Sequence, residues 1–258
     1  MTVRKRRLSS LQLSSLHLRV CGLVLAAAGC IGSLIQSRIL GVGRLPVAEL
    51  YTLLSDLPNG MAYAALSLIC QVLELCAIPI FAFLLIEGTA HTASFGKYFF
   101  RVLLLAFGSE IPYNLATAGR VISIGDLNPV FGAVMALAML YFFRAYPDKK
   151  TAHRIVKALA VLGAFLWCNF IGVAFGASCI LITAALWAAR GKQNIQLLAG
   201  SAVSMACSVF TPLYLFTPIS LLAIHLYSGE RGRDNRFFQY LAYPVALIAC
   251  YLLSRVVS

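Results

Sequence analysis

The sequence predicts an all-α fold, a polytopic transmembrane helical bundle of about nine spans with a cytoplasmic amino terminus. Three observations carry this. The 258 residues are 60% apolar and only 12% charged, against roughly 45–50% and 25% in soluble domains. Long apolar runs recur along the whole chain, separated by short polar joints. The basic residues concentrate on alternate joints, as the positive-inside rule requires. This composition excludes a disordered chain, a collagen-like chain and a nucleic-acid-binding domain with an exposed basic face. The formal net charge of +12 therefore implies no nucleic-acid partner. In a membrane protein such an excess faces anionic headgroups, and the lipid bilayer is the expected partner.

The chain opens with a basic arm, residues 1–19, carrying Arg4, Lys5, Arg6 and Arg7. That start is like the basic region of a signal peptide, but no small-residue cleavage site clearly follows the first apolar run. The run from Val20 to Ile35 is therefore a span, and residues 20–258 form a single transmembrane domain. Further spans follow at Met61 to Ile86, Tyr98 to Ala116, Val130 to Tyr146 and Ala158 to Phe170. Four more lie at Gly172 to Ala189, Ile195 to Phe210, Leu213 to Tyr227 and Phe237 to Val257. With the amino terminus inside, nine spans place 17 of the 21 Lys and Arg on inner segments. Arg38, Arg44, Arg120 and Arg255 fall outside. Losing one span would put later basic joints on the wrong side. The eight cysteines all lie inside apolar runs without a C-x-x-C pair, so they read as small buried hydrophobes. The four histidines have no zinc-binding spacing, and no metal is expected.

Ionisable groups inside spans are costly, so each marks a candidate site. Glu74 falls at the centre of the second span and Glu110 just past the centre of the third, in Ser109-Glu110-Ile111-Pro112-Tyr113-Asn114. Pro79 and Pro112 interrupt the same two spans, and freed backbone groups need neighbouring helices or a polar cavity. Two readings stay open: a polar cavity, or interhelical hydrogen bonds that hold the bundle. At the cytoplasmic end stand Glu87, His91, Lys97 and Arg101. Glu87 and His91 are four residues apart and share a helix face. A carboxylate can fix one imidazole tautomer for general-base work, while interfacial charge pairing would use the same residues. A third feature is Tyr227-Ser228-Gly229-Glu230-Arg231-Gly232, a tight inner turn. It is either a short loop or one that helps hold an anionic cytosolic cofactor.

These segments resemble the TraX family, membrane proteins associated with amino-terminal acetylation of F-type pilin and distantly like the integral-membrane acyltransferase-3 group. The resemblance rests on Ala77-Ile78-Pro79-Ile80-Phe81-Ala82-Phe83-Leu84-Leu85-Ile86-Glu87-Gly88 with His91-Thr92, and on Ser109 to Asn114. Asn128 before the fourth span, the Tyr227 to Gly232 turn and Tyr240-Leu241-Ala242-Tyr243-Pro244 extend it over nearly the whole chain. The resemblance implies a multi-pass protein of the bacterial cell (inner, plasma) membrane, linked to conjugation. It implies an acyltransferase using acetyl-CoA, with a peptide, pilin or glycan as acceptor. In that scheme His91 is the base, oriented by Glu87. Glu110 positions the acceptor or balances charge. Arg101, Glu230 and Arg231 hold the donor, and Glu74, Tyr113, Asn114 and Asn128 line the acceptor side. No nucleophile stands out, so direct transfer is favoured over a covalent intermediate. This chain also departs from the family pattern. Gly29-Cys30-Ile31-Gly32 stand where an Asp-His-Ile-Gly is common, and Gln71 and Glu74 stand near two usual arginines. Two other functions are therefore kept: a non-catalytic membrane binding or assembly protein, and a small proton- or ion-coupled transporter using Glu74 and Glu110.

Overall fold

Ser14 starts the first helix. Its hydroxyl lies 2.8 Å from His17 Nδ1, and the same nitrogen accepts from the Ser14 backbone N–H at 3.1 Å. This reciprocal cap opens α1, Ser15–Leu34, five residues before the expected span. The computed structural model describes residues 13–40, 58–123, 127–147, 150–230 and 236–256. Among them the chain is helical, with no β-strand and only two isolated parallel bridges.

The remaining helices are α2 Gly60–His91, α3 Phe95–Ala118, α4 Val130–Ala145, α5 Thr151–Phe170, α6 Gly176–Ala188 and α7 Gln193–Ala206. After α7 the chain forms a 3₁₀ segment, Pro212–Ser220, then the short α8, Leu221–His225, and finally α9, Arg236–Val256. Each expected apolar run thus falls on helix, but the runs are not nine equal rods. Among the described residues three helical stretches are long and apolar enough to cross a membrane: Ser15–Ser37, Gly60–His91 and Thr151–Phe170. At 1.5 Å per residue, the 13 residues of α6 reach about 20 Å, short of a ~30 Å hydrocarbon core.

The expected span from Leu213 to Tyr227 is not one α-helix. Pro212 and Pro218 remove backbone donors there, and the chain tightens to three residues per turn. That period puts Tyr214, Thr217 and Ser220 on one buried face. Both hydroxyls back-bond one turn, Thr217 to the Tyr214 carbonyl and Ser220 to the Thr217 carbonyl.

α2 is the central element, touching α1, α4, α6, α8 and the 3₁₀ segment. Its seam with α1 runs antiparallel through small residues. A Cβ on Gly22 would meet the Phe81 ring at 3.0 Å, and one on Gly32 would meet Cys70 Cβ at 2.8 Å. Small residues that admit close backbones are how helices associate without a water-driven hydrophobic term. α9 closes the bundle against α3 and α1. The interior holds Ser67, Ser109, Asn114, Asn128, Ser178 and Thr183, all buried, while Phe107, Leu198, Leu222 and Phe170 face outward. Buried small polar groups with large apolar groups outside fit a hydrocarbon surround. Six of the eight cysteines are buried and all are free thiols.

Candidate functional site

The predicted residues gather at two depths rather than one. α2 and α3 form an antiparallel hairpin around residues 91–95. Glu74 lies 17 residues before His91, and Glu110 lies 15 residues after Phe95. At 1.5 Å per residue both carboxylates are more than about 20 Å from the hairpin. Glu110 therefore stands apart in depth from the Glu87–His91 pair, as its place near the middle of the third expected span implies. Helix rise alone separates Glu110 from the pair.

The deep cluster is built on Glu110. Asn128 donates to Glu110 Oε2 twice, from its side-chain Nδ2 at 2.6 Å and its backbone N–H at 3.1 Å. Asn114 Nδ2 donates to Oε1 at 3.3 Å. Asn128 also donates to the Ala106 carbonyl at 2.8 Å, and its Oδ1 accepts from the Val130 N–H at 2.9 Å, capping the start of α4. The loop before it is pinned by Leu127, whose N–H donates to the Gly172 carbonyl and whose carbonyl accepts from Ala174. Asn128 is fully buried and Asn114 nearly so. With its side-chain donors and acceptor engaged, Asn128 fastens α3 to α4. Its side chain positions Glu110. This geometry favours the interhelical hydrogen-bond reading for Glu110.

Glu74 packs against the bare face of α1. A Cβ at Gly29 would sit 2.2 Å from Glu74 Cδ, so the carboxylate occupies the space that a side chain there would take. Tyr243 of α9 lies within electrostatic reach of Glu74, Glu110, Tyr113 and Cys30. Tyr214 of the 3₁₀ segment also reaches Glu74 and hydrogen-bonds Ser178 Oγ at 2.5 Å. Glu74, Tyr113 and Glu110 thus share one polar interior that α9 and the 3₁₀ segment help close.

The second cluster lies at the hairpin end. His91 Nδ1 is 2.9 Å from the Glu87 carbonyl oxygen and 3.6 Å from Glu87 Oε2. A carbonyl only accepts, so the ring proton sits on Nδ1 and Nε2 keeps its lone pair in the neutral imidazole. The His91 side chain is 62% exposed. Tyr227 donates its hydroxyl to Glu87 Oε2 at 3.3 Å, and its ring meets Phe83 edge-on at 5.3 Å. The Tyr227 turn is held in turn by the entry to α1. Leu13 N–H donates to the Leu226 carbonyl, Ser228 N–H donates to the Leu13 carbonyl, and Ser15 N–H donates to the Glu230 carbonyl. Gly229 supplies the positive φ of 78° that the turn needs. Glu230 is exposed on this turn, and Arg101 is exposed on α3. Arg231 lies outside the described residues. The hairpin shares its end of the bundle with the finish of α4, since the Phe95 and Tyr141 rings meet at a tilt with centroids 5.7 Å apart.

Sequence reasoning placed Tyr227 in a candidate turn and Tyr243 in a family segment, but gave neither side chain a role at the site. It also missed Tyr98, whose hydroxyl lies 2.5 Å from where a Gly88 Cβ would be. The one signal was Gly88 beside Glu87, a small residue inside a helix where another group must come close. Among the described residues no group of three His, Cys, Asp or Glu is placed to hold a metal.

The model of one protein family, described as TraX protein, matches residues 47–254. No curated protein and no solved structure matches the chain. The matched stretch holds α2 through most of α9, and with them both polar clusters and the Tyr227 turn. By a match of that extent, the chain belongs to the TraX family.

Proposed function

We propose that this protein is a multi-pass acetyltransferase of the bacterial cell membrane. It takes an acetyl group from acetyl-CoA on the cytoplasmic side and passes it to an amine or hydroxyl of a peptide or glycan. The observation that carries this is the His91 arrangement, an exposed imidazole with Nδ1 fixed by Glu87 and Nε2 open. His91 Nε2 takes the proton of the attacking amine or hydroxyl as its N or O bonds to the acetyl carbon. The C–S bond then breaks, and the released thiolate of coenzyme A takes a proton from the imidazolium or water. Glu87 and Tyr227 hold the ring's setting. Glu110 acts at a distance by fixing α3 against α4. Arg101 and the Glu230–Arg231 turn draw the donor's phosphates. TraX membership supports the reading, and so does the charge pattern, with nine membrane segments and a cytoplasmic amino terminus. Purified protein should cleave the acetyl-CoA thioester when peptide or glycan acceptors are present. Thioester loss no faster than in buffer would contradict the proposal.

One observation favours a second reading, an ion-coupled transporter. Glu74 and Glu110 share a depth, with Tyr243 in reach of both. Proton-coupled uptake into vesicles that disappears in Glu74→Gln would support it over acetyl transfer.

A further inference from the structure

A groove of about 560 Å³ runs along α5, walled by Val161 and Phe165, by Leu181 of α6 and by Val203, Ala206 and Phe210 at the end of α7. Its lining is apolar, and the Phe165 and Phe210 rings on its wall pack at a tilt with centroids 6.4 Å apart. α5 is long and apolar enough to cross a membrane, and only 11% of it is buried within the protein. Its outer face carries Ile155, Leu159, Leu162 and Leu166, all exposed. A groove beside such a helix opens to lipid tails rather than to water.

The groove leads from a basic end. Arg144 closes α4, Arg154 and Lys157 lie in the first two turns of α5, and Arg190 and Lys192 sit at the joint between α6 and α7. Ring contacts tie these joints together. Lys157 Nζ lies 5.5 Å from the Phe143 ring, Phe143 is 6.2 Å from Trp187, and the Arg190 guanidinium stacks 3.6 Å over Trp187. Cations among aromatic rings mark the headgroup level of a membrane protein. Between Tyr141 and Asn194 the sequence has a single acid, Asp148. Ala158, the residue after Lys157, already lines the groove. Positive charge and apolar trough are therefore continuous along one helix.

We propose that this surface holds an anionic phospholipid, with its phosphate at Arg154 and Lys157 and one acyl chain in the groove between α5 and α7. Charge complementarity selects the headgroup, and the trough selects the chain. The site is separate from His91 and does not depend on acetyl transfer.

Native mass spectrometry of the full chain in detergent, with phosphatidylglycerol and phosphatidylcholine of matched chains, tests this. One phosphatidylglycerol should be retained in preference. Arg154→Ala and Lys157→Ala should each weaken its retention about fivefold, the share one basic residue contributes toward an anionic lipid. Arg120→Ala, at the far end of α3, should leave retention unchanged. Ala206→Phe, which fills the trough, should weaken retention of both lipids and leave their ratio unchanged. Equal retention of the two lipids by the wild type overturns the proposal, as does unchanged preference in the Arg154→Ala, Lys157→Ala double variant. Displacement of the lipid by coenzyme A overturns it too, because the basic end would then serve a soluble phosphate.

Discussion

Tyr227 reaches across 140 residues of sequence to donate its hydroxyl to Glu87 Oε2 at 3.3 Å. The contact joins the turn before α9 to the last turns of α2, where His91 sits. It also ties in the start of α1, because Leu13 bridges Tyr227. Three distant parts of the chain therefore meet at the proposed base. Tyr227→Phe keeps the ring on Phe83 and removes this bond. The group is partly exposed, so the expected loss of stability is about 1 kcal/mol, read as a lowered Tm in detergent. Acetyl transfer should fall severalfold, because Glu87 then loses its second restraint. A variant with wild-type Tm and rate would show that the contact is incidental.

Asn128, just before α4, donates to Glu110 of α3 at 2.6 Å. Asn128→Ala removes the side-chain donor at 2.6 Å and the cap on α4. Leaving a partly buried carboxylate short of donors costs roughly 2–4 kcal/mol. Glu110→Gln keeps an acceptor and should cost less. In a double-mutant cycle the two changes should couple by at least about 1 kcal/mol. Additive effects would place the two side chains in separate roles.

Gly29 is required by Glu74 rather than by backbone conformation. Gly29→Ala puts a methyl group where Glu74 Cδ stands. It should lower stability by about 1–3 kcal/mol through overpacking. The same change in a Glu74→Ala background should cost almost nothing, since the space is then free. Equal penalties in both backgrounds would contradict the packing.

Charge patterning predicts a cytoplasmic amino terminus and nine segments, and reporter fusions check it. A periplasm-active phosphatase fused after Ser258 should be active, and one fused after Lys192 inactive. The opposite result at either site would remove the nine-segment topology and the cytoplasmic placement of His91.

Much of the architecture is legible in the sequence because membrane helices announce themselves by continuous apolar composition. α2 is visible in full from Met61 to Ile86, and only its last turn, carrying Glu87 and His91, extends past the run. Asn128 is legible as a residue before a helix, though its grip on Glu110 is not. The departure at the 3₁₀ segment has a visible cause in Pro212 and Pro218, but hydropathy registers apolar content and not helix period. The depth difference between His91 and Glu110 is legible too, because Glu110 falls inside an apolar run and His91 at the polar joint beyond one. The Tyr227–Glu87 contact was beyond reach, since nothing local in either segment specifies a partner 140 residues away.

Acetyl transfer by the protein reconstituted in lipid vesicles, wild type beside His91→Ala, is the most direct test of the proposed chemistry. Removing a general base lowers the rate by about 10²–10⁴-fold. His91 is largely exposed, so the variant should fold and reconstitute like the wild type. The expected result is measurable transfer from acetyl-CoA by the wild type and at least a hundredfold less by His91→Ala. Equal rates in the two proteins would contradict the assignment of His91 as the base.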